Sequence, residues 1–188
     1  MRIFLFLSIL INTLSVSAQE TTTPEKDGVR VTVLGYHDFS EERAVSDMLM
    51  RTSKFRKQMQ ALKDLKMNVI SLGDFKLWKA GKKDIPDRSV LITIDDGWKS
   101  VYTDAYPILK EFGFPFTVYL YTDYIDVGGR SMTTEMIKEM MQNGCTVGSH
   151  SVSHPYPAVF RKKKSEGAEA YEAFLHSEFG QSKELLQK

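Results

Sequence analysis

Apolar positions in this chain recur at two spacings that alternate from residue 29 onward. Short, mostly apolar runs at 29–35, 67–72, 89–94, 116–121 and 145–148 have the length and composition of strands. The run Ser-Val-Leu-Ile-Thr-Ile at 89–94 is nearly continuous, as expected of a strand covered on both faces. Between these runs, Phe55, Met59, Leu62 and Leu65 return at three- and four-residue steps. They predict a helix over 52–66, with Thr52 or Ser53 as its N-cap. A short helix is expected over 73–80, closed by Gly81, with a turn at 84–87. A helix over 99–112 carries Pro107, which should kink it or delay its start. Thr133 or Thr134 caps the next helix, which ends at 143–144, and a long helix follows over 168–188 with Gly180 as a break. Strands alternating with helices predict a parallel α/β sheet covered on both faces, or a barrel built the same way.

The first 28 residues depart from this alternation. Met1-Arg2, an apolar stretch over 3–14 and the small residues Ser15-Val16-Ser17-Ala18 compose a signal peptide of residues 1–18, cleaved after Ala18. The apolar stretch is short for a membrane span, and an uncleaved anchor is the other reading. Residues 19–28 are polar and rich in threonine, a flexible leader. That leaves 29–188 as one domain, large enough for one core. The chain is then secreted, periplasmic or extracellular. Its single cysteine, Cys145, makes an intrachain disulfide impossible, so an exported chain must be held by its core or by a metal. A net charge of +1, near zero once Arg2 is removed, argues against nucleic acid as a partner. Nothing in the chain specifies an oligomeric state.

In sheets of this kind ligands gather at the C-terminal edge of the strands. Three polar clusters fall there: Tyr36-His37-Asp38, Asp95-Asp96-Gly97 and Ser149-His150-Ser151. Neighbouring residues of a regular strand point to opposite faces. Asp95 and Asp96 can therefore share a site only at a strand end, where Gly97 lets the backbone turn. Asp-Asp-Gly is also ordinary turn chemistry. Two carboxylates directly behind an apolar strand are nevertheless costly to bury unless paired or bound to a cation. His150 and His154 stand four residues apart, so one helical turn or a compact loop would aim both imidazoles at one ion. Neutral imidazole suits zinc and other late divalent metals. Alone, such a pair is as readily a surface accident. Pro155 and Pro157 favour the loop, and a metalloprotease helix is excluded, since it needs a glutamate where Ser151 stands. Two histidines and one carboxylate make a three-donor site open to water and substrate, which frees the second carboxylate to act as a base.

With both clusters in view, the chain resembles the polysaccharide deacetylases, the NodB-homology family. Thr93-Ile94-Asp95-Asp96-Gly97 is similar to the family's first motif, where Phe usually stands at the position of Ile94. His150-Ser151-Val152-Ser153-His154-Pro155 is similar to the second. The resemblance covers roughly residues 31–188, the N-terminal part of that domain. It implies a distorted (β/α) barrel of the polysaccharide deacetylase type, incomplete at the C-terminus. It implies Asp96, His150 and His154 as ligands of a divalent metal, foremost zinc, and Asp95 as general base toward a water attacking an acetamide carbonyl. The implied activity is metal-dependent hydrolysis of N-acetyl groups from an extracellular amino-sugar polysaccharide: poly-N-acetylglucosamine, peptidoglycan or a chitin-like polymer. The family's later motifs supply an arginine on the base, a groove-lining strand and a late histidine acid, and they are not found. The chain is thus expected to be a fragment of a longer enzyme, or a non-catalytic carbohydrate- or metal-binding remnant of one. A glycoside hydrolase built on the same two aspartates is disfavoured, because its carboxylates stand about 5 Å or more apart across a sugar.

Tyr36, His37 and Trp98 sit beside these motifs as candidate substrate contacts, with packing at the rim the alternative for the two aromatic residues. His37 is also the one other histidine at this edge that could serve as an acid. His176 is expected at the surface and Arg161-Lys162-Lys163-Lys164 in a solvated loop. Cys145 reads as a small buried hydrophobe.

Overall fold

A computed structural model describes residues 28–44 and 46–187. The expected signal peptide (1–18) lies outside the described residues, as does the leader (19–28) except for Gly28. β1 (Val31–Tyr36) leads to a small parallel pair, β2 (Asp38–Phe39) and β3 (Leu49–Met50), then to α1 (Thr52–Asp64), β4 (Asn68–Val69), α2 (Leu72–Lys79) and the long β5 (Ser89–Asp96). A π-helical turn (Val101–Ala105) opens α3 (Tyr106–Phe112), followed by β6 (Phe116–Leu120), α4 (Thr134–Gln142), β7 (Cys145–Ser149) and α5 (Pro157–Ser165). The chain closes with α6 (Ala168–Leu175), a second π turn (His176–Gly180) and α7 (Gln181–Leu186).

The expected parallel α/β sheet is present. Its order is β1-β5-β6-β7, with β4 also paired to β5, and every pairing is parallel. β5 takes an interior place, its apolar run buried along most of its length. Val90, Ile92 and Ile94 point into the main core, where they meet Phe55 and Met59 of α1, Leu109 of α3 and Met140 of α4. Leu91, on the opposite face, packs with Ile70 and Ile85 under Phe75 and Trp78 of α2. Each large apolar side chain buried here contributes about 1.5–3 kcal/mol before the entropy of ordering is counted. None of the described helices is long and apolar enough to cross a membrane.

Four local expectations are revised and one is borne out. The strand expected over 67–72 shrinks to β4, because its pairing with β5 is confined to Ser89 and Val90. Neither Thr52 nor Ser53 caps α1. Arg51 occupies the cap without a side-chain bond, and Glu41 reaches from the preceding loop to the Ser53 N–H (2.8 Å) and hydroxyl (2.9 Å) instead. The late start expected from Pro107 is present: α3 begins only at Tyr106, with Pro107 within its first two positions, after a π turn whose wider winding admits it. Arg161-Lys162-Lys163-Lys164 belong to α5 rather than a loop. Pro157 begins that helix, where a missing N–H costs nothing, and the lysines fall in its last turn, where they suit the helix dipole. The C-terminal helix is not interrupted at Gly180 but continues through the second π turn. His176 is exposed, as expected.

Candidate metal centre

The C-terminal edge of the sheet brings the three polar clusters together: β1 delivers His37, β5 the two aspartates, and β7 the histidine loop. Sheet pairing runs through Asp95, opposite Tyr119, and Asp96, opposite Leu120, two residues past the expected strand end. Asp96 is nonetheless left-handed (φ 77°), and Gly97 follows at φ 97°, so the regular alternation of the strand breaks inside the motif itself. Asp96 Oδ1 stands 3.6 Å from His150 Nε2 and 3.7 Å from His154 Nε2. The donor atoms of the three residues lie within 4.8 Å of one another. Bonds of about 2.0–2.2 Å at tetrahedral angles separate donors by about 3.3–3.6 Å. A divalent ion of zinc's size therefore fits this donor set with small adjustments. Asp95 stays outside the triad, with Oδ2 3.7 Å from His37 Nε2.

The histidines sit on a compact loop, as the two prolines predict. Ser151 (φ 76°) and His154 (φ 54°) are both left-handed. His150 N–H donates to the Leu120 carbonyl (2.8 Å), Ser151 N–H to Ser149 Oγ (3.1 Å) and His154 N–H to Ser151 Oγ (3.0 Å). The two rings lie 4.7 Å apart. From the second π turn, buried Glu178 accepts hydrogen bonds from this same loop.

A second set of partners reaches Asp96 from its other oxygen. Trp98 Nε1–H donates to Asp96 Oδ2 at 3.1 Å. The Arg130 guanidinium covers the Trp98 ring at 4.5 Å, and Tyr124 meets it edge-on at 5.1 Å. Arg130 also pairs with Asp38, which takes a forked pair of bonds from Arg43 (2.6 and 2.7 Å) and one from Ser100 Oγ (2.6 Å). Burial pushes the Asp38 carboxyl up. The bonds from Arg43 and Ser100 and the charges of Arg43 and Arg130 outweigh it and hold the group below the usual carboxylate range. Sequence reading placed Asp38 in a polar cluster without its partners, and missed Arg43, Arg130 and Glu178; Arg130 and Glu178 bond residues distant in the chain, and no motif marks Arg43, five residues from Asp38.

Trp98 therefore orients a carboxylate, and one of its faces is taken by Arg130. Tyr36 departs further from its expected place: its ring packs against Phe39 and Phe55 in the core, and its hydroxyl donates to Gln58 Oε1 at 3.0 Å. Burial pushes that hydroxyl up to about 12. Tyr36 is thus a core residue rather than the substrate contact expected of it. Cys145 is buried, as expected of a small hydrophobe, and burial pushes its thiol up to about 12. Burial also raises the Asp95 carboxyl; His150, His37 and His154 oppose that rise and Asp96 adds to it. A cleft of about 670 Å³ opens beside the triad, walled by Asp96, His154, Trp98, Tyr121, Arg130 and the largely exposed Tyr156.

Comparison with known proteins places this geometry. Residues 82–188 match the family model described as "Polysaccharide deacetylase", a span that contains both aspartates and both histidines. The chain is 30% identical over 125 residues to YxkH of Bacillus subtilis, a protein that carries the same family description, covering 66% of this chain and 43% of that one. It is 27% identical over 155 residues to the poly-beta-1,6-N-acetyl-D-glucosamine N-deacetylase of Staphylococcus aureus, covering 80% of this chain and 52% of that one. Among solved structures, the Streptococcus pyogenes deacetylase PplD in complex with acetate superposes with a TM-score of 0.62 at 25% identity, covering 80% of this chain and 71% of that one. The chain thus spans about half the length of the curated relatives it matches.

Proposed function

Because the chain belongs to the polysaccharide deacetylase family, we propose that it takes part in metal-dependent removal of N-acetyl groups from an extracellular amino-sugar polymer, with poly-N-acetylglucosamine as the first candidate. One observation carries this reading: Asp96, His150 and His154 converge on one point while Asp95 stands beside them unligated. Asp96, His150 and His154 would hold the ion, zinc being the best match to two imidazoles and a carboxylate. When bound, a divalent cation supplies positive charge that polarises the acetamide carbonyl and acidifies water.

The remaining chemistry belongs to the chain. Asp95, with its carboxyl raised by burial, takes the proton of the water that adds to the acetamide carbon. His37, 3.7 Å from Asp95, is placed to carry a proton to the departing amine as the C–N bond breaks, leaving acetate and a free amino sugar. The cleft beside the triad holds the sugar, with Tyr121 and Tyr156 as apolar walls and Trp98 keeping Asp96 in position. The name of the S. aureus relative supports the polymer, and the acetate in the S. pyogenes structure is the product this reaction releases. For the chain as a whole we read residues 1–18 as a signal peptide, 19–28 as a leader and 29–188 as the domain, exported to where such polymers lie.

Acetate release from N-acetylglucosamine oligomers tests the proposal. Zinc-loaded chain should release acetate, and chelator should stop it. D95N should retain zinc while losing roughly a hundredfold or more of the rate, as expected for a lost general base. A chain that binds zinc and the oligomer yet releases no acetate would instead be a binding module.

A further inference from the structure

The structure assigns Glu178 as the residue that sets the shape of the histidine loop for metal capture, a positioning role that rests on the metal reading above. Glu178 is 8% exposed and lies in the middle of the π turn His176–Gly180. Its Oε2 accepts the backbone N–H groups of Val152 (3.1 Å) and Ser153 (2.9 Å), and its Oε1 accepts the Ser153 hydroxyl (2.7 Å). These are the residues between the two histidines. A few residues further on, fully buried Ser182 of α7 bonds Ser149 at 2.7 Å, on the other flank of His150.

The loop needs such a fastening. Ser151 and His154 are both held at positive φ, a conformation that side chains other than glycine adopt only when their surroundings impose it. Free of Glu178, the N–H groups of Val152 and Ser153 would lose their partners and the loop would relax toward ordinary dihedrals, carrying the two imidazoles apart. A carboxylate is the stronger acceptor here, since bonds to an ionised oxygen are shorter and stronger than neutral ones. The π turn is the other half of the device. Its wider winding offsets Glu178 from the register an unbroken α-helix would give it. Groups that orient metal ligands from behind typically govern affinity.

The test is a zinc titration of the metal-free full chain against a chromophoric chelator, with cobalt absorption as a report of donor geometry. E178A should weaken zinc binding about ten- to a hundredfold and alter the cobalt spectrum. E178Q, which keeps one acceptor oxygen without the charge, should weaken it about three- to tenfold. M140A, a core change in α4, should lower the melting temperature and leave both readouts unchanged. The assignment is overturned if E178A, folded by circular dichroism, binds within about twofold of wild type. Should E178A fail to fold, E178Q decides on the same criterion. It is equally overturned if M140A weakens zinc binding as much as E178Q does, since general loosening would then suffice. A wild-type chain that binds zinc no better than H154A would overturn the metal reading itself, and this assignment with it.

Discussion

Asp96 faces two imidazoles with one oxygen and accepts an indole N–H with the other. Asp95, its neighbour, faces His37 at 3.7 Å, and burial raises its carboxyl. Adjacent residues of the same type thus acquire different chemistry from their surroundings alone. Asp38 shows the converse, a carboxylate saturated by Arg43, Arg130 and Ser100. Its folded-state value is lowered, so its contribution to stability is fully present above the unfolded value of about 3.9 and is lost as pH falls through the folded value. Wild type should exceed D38N in melting temperature at neutral pH, and that gap should close as pH falls below about 4. A gap unchanged down to about pH 2 would remove Asp38 from this role. The four motif residues were legible in the sequence because motif spacing is local. Trp98 was seen as a sugar platform or rim residue, and it does wall the cleft, but nothing local shows that its indole N–H faces Asp96. Arg130 and Glu178 were invisible, their partners lying 92 and 25–26 residues away.

Helices and strands were legible where one period ran unbroken, as in β5 and α1. They were misjudged over Arg161-Lys162-Lys163-Lys164, expected in a loop but helical in α5, because Pro157 starts that helix and a missing N–H is harmless in a first turn. The two π turns left no mark on the apolar pattern, yet one admits Pro107 and the other carries Glu178. The cap of α4 was read correctly: Thr133 Oγ1 accepts the Met136 N–H at 3.3 Å. That bond is long, so T133A should cost about 1 kcal/mol or less, measured as a shift in urea midpoint. A larger loss would mean that Thr133 does more than cap.

On the scale of the whole chain, alternation foretold the parallel sheet, and the sheet foretold which edge would gather the chemistry. What alternation cannot give is strand order, which placed β5 between β1 and β6 and so set His37 beside Asp95. The donors come from β5 and from the loop after β7, so an ion held there favours the folded chain over the unfolded one. Zinc at a hundredfold above its dissociation constant should add about 2.7 kcal/mol of stability, seen as a rise in melting temperature that chelator reverses and H154A lacks. The bonds from Glu178 to the histidine loop also have a meaning in time. A chain made from its N-terminus presents Asp96 first, then both histidines, and the residue that fastens their loop only afterwards. The nascent chain would carry its ligands while still a poor competitor for the ion, and acquire its grip only when the turn that bears Glu178 docks.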